Sequence, residues 1–377
     1  MDIKYFKSGD YSNQHGYMSF YPNPIDGDWN INIPEIITLL EEASLKLGAL
    51  NAYINLVPEV GVFINMFVLK EACHSCSLAG NKLRIEDAIL NLKDISPDLK
   101  NNWQEVHNYT QLLNASFGKA DKPNLSIKHI KDSHKLLLKG VKTKNKSSGE
   151  FRQTHSWIGG DNIKDAVFVP PHHVLIMECM TDLLKFLNNA EIKVPRLIRI
   201  GIAYYQFETI QAFPDRNGGI VRLMILFYFK EQKLLNKTGL FLSEYFEKHK
   251  QHYEDLLLAV SLNNKLEQWL IFFLKGIIES AQKSVDIFNL IIFLRDKVEK
   301  RILLSSGKRL PNAKLLLSYL YLKPIVTVAD VMVNLKLTKQ TANVLIADFF
   351  EMGILKEQTG GKRNRVFVFE EYLNYFK

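Results

Sequence analysis

Cysteine is scarce. Cys73, Cys76 and Cys179 are the three in 377 residues, an odd number that offers no disulfide framework. Cys73-His74-Ser75-Cys76 places two thiols and an imidazole within one helical turn, but structural zinc asks for four ligands and no second pair accompanies them, which argues against a zinc site. Long apolar runs are missing too. Leu223 to Phe229 and Leu266 to Ile278 are far shorter than the roughly 20 residues of a membrane span, and Lys and Glu interrupt the second. The opening stretch MDIKYFKSGDYSNQ has no basic segment followed by an apolar one, so no secretory signal is expected. These absences point to a soluble, cytoplasmic protein with no membrane partner.

What is present is ordinary globular composition, 47% apolar and 23% charged, which excludes a disordered chain and suffices for two or three domains. The net charge of +8 permits an acidic partner such as nucleic acid, although a spread-out lysine surface is the commoner cause of such a figure.

The most informative stretch is Arg199 to Lys230. Ile200, Ala203, Tyr204 and Phe207 recur at helical spacing, as do Val221, Leu223, Met224 and Leu226 to Phe229, and a polar loop, QAFPDRNGG, separates the two helices. This loop has the makings of a phosphate site. Gly218 and Gly219 let backbone N–H groups approach an anion, the second helix starts there with its positive end toward the loop, and Arg222 lies one turn on. Asp215 offers a ligand for a divalent cation and Asn217 a hydrogen-bond donor.

Residues 211 to 222, QAFPDRNGGIVR, resemble the signature loop of Fic-domain proteins, H-P-F-x-D-G-N-G-R-x-x-R, in register and length. Phe213, Asp215, Asn217, Gly218 and Arg222 match it, while Gln211, Ala212, Arg216 and Gly219 replace its His, Pro, first Gly and first Arg. The resemblance implies AMP transfer from ATP to a protein hydroxyl, with His as base, Asp215 as Mg²⁺ ligand, and loop amides and arginines neutralising phosphate charge. The implied nucleotide contacts are Phe213, Arg216, Asn217, Gly218, Gly219, Arg222 and Tyr253. Gln211 cannot accept a proton near neutral pH. Arg216 adds a side chain where the backbone should meet phosphate, at a position that would not easily take positive φ, and Gly219 removes a bidentate contact. A weak or inactive member follows. Arg216 could swing to the phosphate or stand as a solvated loop cation, and His155 is the nearest substitute base by motif.

Two further motifs fit the family. Ser75-Cys76-Ser77-Leu78-Ala79-Gly80 resembles the inhibitory-helix motif S-x-x-x-E-G, with Ala79 where the glutamate that pairs with Arg222 should be. Thr154, His155, Trp157, Ile158 and Gly159 fall in a stretch resembling the flap, a hairpin that receives the target segment by strand addition. The segment Leu240 to Tyr245, with Tyr253, resembles the closing element of the nucleotide pocket.

The rest reads mainly as helix. Residues 1 to about 33 show no clear period and read as an irregular cap, and helices then follow from Ile36 onward. Beyond Gly307 to Pro311, Thr327 and Thr338 cap helices, and Ile354 to Glu357 with Arg365 to Phe369 form a hairpin across Gly360-Gly361. This is a winged helix-turn-helix pattern, with Lys339, Gln340, Asn343, Lys362, Arg363 and Arg365 as candidate DNA contacts. The expected architecture is mainly α: a helical region over 1–120, a Fic-type helical domain with a small β-hairpin flap over 121–290, and a winged helix over 291–377. An active transferase of altered or unbraked chemistry and a DNA-binding regulator, with the Fic-like part as scaffold or homodimer surface, stay open as alternatives.

Overall fold

The computed structural model describes residues 1–13, 16–57, 59–118, 125–143, 147–360 and 365–377. The chain is mainly helical, with one two-stranded and one three-stranded sheet among the described residues. Its helices are α1 (Pro34–Leu56), α2 (Val60–Leu78), α3 (Ile85–Ile89), α4 (Lys100–Gly118), α5 (Ile127–Leu137), α6 (Ile176–Asn188), α7 (Arg196–Ile210), α8 (Asn217–Glu231), α9 (Leu242–Lys248), α10 (Lys250–Asn263), α11 (Leu266–Ser305), α12 (Leu310–Leu322), α13 (Val328–Leu335), α14 (Lys339–Glu351) and α15 (Glu370–Leu373). Among the described residues, no helix is long and apolar enough to cross a membrane.

The spine is α11, whose 40 residues at 1.5 Å each span about 60 Å. Buried Trp269, Phe273, Ile277, Ser280, Ser284, Ile287, Ile291, Leu294, Val298 and Ile302 recur every three or four residues, so one stripe runs nearly its whole length. Helix α7 lies close against it. The Trp269 indole N–H donates to the Gly201 carbonyl at 2.8 Å, and Tyr204 stacks on Trp269 with ring centroids 5.2 Å apart. Any side chain at 201 would strike Leu270 at 2.8 Å, which is why glycine stands there. The α7–α8 pair is thus fixed on a rigid backing before its loop begins.

Helix α2 is apolar nearly all round because other elements cover it on every side, and it ties the C-terminal segment to the rest. Phe67 packs edge-on against Phe376 at 5.2 Å, and the buried Lys70 ammonium reaches Glu244 at 3.0 Å and the Phe376 carbonyl at 3.3 Å. Beyond α12 the chain runs β3 (Ile325–Thr327), α13, α14, β4 (Lys356–Glu357) and β5 (Val366–Val368), with β5 central and antiparallel to both neighbours. Thr327 forms a capping box with Asp330, and Thr338 caps α14 through the Thr341 amide, as the sequence suggests.

The amino-terminal reading needs correction. Residues 9–12 and 19–22 are not irregular but form an antiparallel strand pair, β1 (Gly9–Ser12) and β2 (Ser19–Pro22), in register from Gly9 opposite Pro22 to Ser12 opposite Ser19. Few alternating apolar residues mark it, because only the second strand is buried. Residue 290, one expected boundary, lies inside α11, and residues 119–124, which hold the other, lie outside the described residues.

Candidate functional site

The loop between α7 and α8 is built from its own side chains. Two residues outside glycine sit in left-handed backbone at its ends, Gln211 (φ 48°) closing α7 and Arg216 (φ 56°) opening α8. Each such residue costs roughly 1–2 kcal/mol, so something must hold them. Asn217 does part of this: its carboxamide accepts from the Phe213 amide and donates to the Phe213 carbonyl, both at 2.8 Å. Phe213 is buried and stacks on His134, centroids 4.0 Å apart, so it is a support under the loop and not a wall of the cavity. His134, buried and unnoticed in the sequence, accepts from the Gly149 amide at Nδ1 (2.9 Å) and turns Nε2 to the Asp215 carbonyl at 3.3 Å.

Arg216 corrects two expectations. It takes positive φ despite its side chain, and it is neither a solvated cation nor turned toward a phosphate. Its Nε bonds the Glu105 carboxylate on α4, and its Nη2 reaches the other oxygen at 3.2 Å. The guanidinium is 25% exposed and the carboxylate 3%. Burial works against the arginine's charge, but Glu105 outweighs it and holds the arginine's pKa above its ordinary value. Asn81 also donates to Glu105, at 3.2 Å, so the end of the inhibitory-like motif joins this network.

The loop opens on a cavity of about 660 Å³. Asp215, Gly218, Gly219 and Arg222 line it from the loop, Ala79 from α2, Ile158 and Gly159 from the flap, and Tyr253 from α10. Arg216 closes off α8 without a side-chain cap, so the first amides of the helix are left for a ligand. A side chain at Gly218 would meet Arg222 Nη1 at 2.9 Å and Glu208 Oε1 at 3.2 Å, whereas one at Gly219 would meet only Leu137, at 3.4 Å. Arg222 is held by Ser75, whose hydroxyl and carbonyl each accept from it at 2.9 Å. In the stretch Ser75 to Gly80, the serine contacts Arg222, Ala79 faces the cavity and Gly80 turns the chain at φ 89°. The closing wall is α10; the segment Leu240 to Tyr245 lies elsewhere, with Ser243 bonded to buried Glu71 at 3.0 Å through its amide.

Glu208 is the acid that sequence reasoning missed, although the lone carboxylate of a mostly buried helix was a usable signal. It accepts from Tyr253 at 3.2 Å and from Gln211 at 3.1 Å, and lines the cavity one turn before 211. Burial raises its pKa, opposed by Arg222, Tyr253 and Gln211.

Other assigned residues stand apart. The flap is closed by a single bridge, Ile158 to Phe168, and is no extended hairpin. Of its named residues only Ile158 and Gly159 reach the cavity: the Thr154 carbonyl accepts from Arg152, Trp157 is exposed, and His155 bonds Tyr17 at 2.7 Å. Lys339, Gln340 and Asn343 are exposed together at the start of α14, and Arg365 is bound to Glu357 at 2.5 Å; Lys362 and Arg363 lie outside the described residues.

The Asp215 carboxylate, the helix-start amides and the buried Arg222 guanidinium border one space, a donor set of the kind that holds Mg²⁺ and phosphate. Residues 37–118 match the Fic/DOC family N-terminal model and residues 124–229 the Fic/DOC family model. The fold is similar to that of a Fic family protein from Desulfovibrio desulfuricans, with 18% identity, TM-score 0.59, and coverage of 91% of this chain and 98% of that one. It is also similar to Fic-1 from C. elegans (19% identity, TM-score 0.52, 67% and 74% covered) and to a Fic domain containing signaling protein from Bacteroides thetaiotaomicron (18%, 0.50, 66% and 96%). With two family models matched in sequence and the same fold in its relatives, this chain belongs to the Fic/DOC family and carries a Fic domain.

Proposed function

We propose that the α7–α8 cavity binds an ATP-like nucleotide with Mg²⁺, and that transfer of AMP to a protein hydroxyl is weak or absent. The observation that carries this is the state of Gln211. Its Nε2 donates to the Glu208 carbonyl (2.8 Å) and carboxylate (3.1 Å), and its Oε1 accepts from Asn217 at 3.1 Å. The side chain is tied into the loop and has no basic atom, so a general-base contribution of roughly 10²–10⁴ in rate is lost. Asp215 would hold Mg²⁺, which when bound neutralises phosphate charge. The amides of Gly218 and Gly219 and the Arg222 guanidinium orient the phosphates.

Calorimetry with ATP and Mg²⁺ should show one saturable site, weakened tenfold or more by Asp215→Ala, while labelled ATP leaves protein unlabelled. No binding of any nucleotide would remove the site. Strong labelling abolished by Asp215→Ala would overturn the inactive reading.

Glu208 favours a second reading, a transferase of altered chemistry. A half-buried carboxylate with raised pKa at the cavity wall is a competent proton acceptor. If labelling is seen, Glu208→Gln should lower it about 10²-fold or more; labelling unchanged by that substitution would dismiss Glu208 as the base.

A further inference from the structure

We infer that His155, His172 and His173 form a binding site for a borderline divalent transition cation, with Zn²⁺ as its probe, where the flap meets the head of α6. Ligand nitrogens of all three lie within 4.8 Å of one another. Three imidazoles on one zinc ion at 2.0–2.1 Å hold their nitrogens about 3.3 Å apart, so small rotations of the rings close the site. The cluster contains no carboxylate. Imidazole alone suits zinc, copper or nickel, not Mg²⁺ or Ca²⁺, which separates this site chemically from Asp215.

The chain brings these rings together by a device of its own. Buried Arg152 donates from Nη1 to the Thr154 carbonyl at 3.0 Å and from Nη2 to the Pro171 carbonyl at 2.5 Å. Those are the residues immediately before His155 and His172, so one guanidinium sets the spacing of both segments. The Tyr17 hydroxyl holds the His155 ring through Nδ1 at 2.7 Å, the kind of outer hydrogen bond that ligating histidines make with their second nitrogen. His155 is exposed and His172 buried, so the cluster faces solvent on one side and leaves a fourth position for water. The nearby Arg152 charge tempers affinity for a cation. A bound ion would tie the flap to α6 and stiffen the strand that Ile158 and Gly159 present to the cavity.

The test uses the full chain without a polyhistidine tag, stripped with a chelator, then titrated with Zn²⁺ against a chromophoric competitor and, separately, with Co²⁺. One equivalent per chain is expected, with the visible absorption of four-coordinate Co²⁺. His155→Ala should weaken Zn²⁺ binding about 100-fold without changing the melting curve of the metal-free protein, since its ring is exposed, and Tyr17→Phe about tenfold. The free cysteines Cys73, Cys76 and Cys179 are buried and cannot supply the site from the surface. Absence of saturable binding, several equivalent sites, or equal affinity in His155→Ala would each overturn the inference.

Discussion

Gln211→His, Arg216→Gly and Gly219→Arg, introduced together with Glu105→Gln, should raise AMP transfer from labelled ATP to protein by about 10²–10⁴ over the natural chain. Histidine restores an atom that accepts a proton. Glycine at 216 takes the left-handed backbone already present there (φ 56°) and bares the loop amide. Arginine at 219 has room for its stem, since a side chain there meets only Leu137, at 3.4 Å, and it returns a bidentate phosphate contact. Glu105→Gln is needed because Arg216→Gly would otherwise strand a buried carboxylate. The assay is label incorporated per chain, with Asp215→Ala in the same background as control. Unchanged incorporation would mean that the base is not what limits this site.

Arg216→Gly alone should destabilise the fold, although glycine suits its backbone better. Relief of left-handed strain is worth about 1 kcal/mol. Against it, removing one partner of this ion pair costs about 3 kcal/mol, because the 3%-exposed Glu105 carboxylate loses its counter-ion. The net loss should be about 2 kcal/mol, softened by the hydrogen bond that Asn81 keeps with Glu105. Denaturant unfolding measures it, and adding Glu105→Gln should recover most of the loss. A more stable Arg216→Gly chain would show that strain, not the ion pair, governs the position.

Both predictions turn on contacts that the sequence does not carry. Arg216 was legible as a misplaced side chain in a glycine position, and its positive φ could be suspected only as a cost. Its partner could not be read: Glu105 lies 111 residues earlier on another helix. Phe213 matched the family motif and was assigned to nucleotide, but burial and the ring of His134 make it a foundation of the loop. His155 was named as a spare base because the flap is near by motif, yet its side chain turns to Tyr17 and the other histidines.

By itself the sequence determined the helical periodicity, the caps at Thr327 and Thr338, and the glycine-rich loop at the start of α8, because each depends on residues within a few positions of one another. It also settled that an amide stands at 211. Tertiary structure alone decided how the groups at the cavity are partnered: Glu208 with Tyr253, Arg222 with Ser75, and Arg216 with Glu105. Those choices rest on burial and charge pairing between segments far apart in the chain, where the cost of an unpartnered ion selects the contact and no local pattern records it.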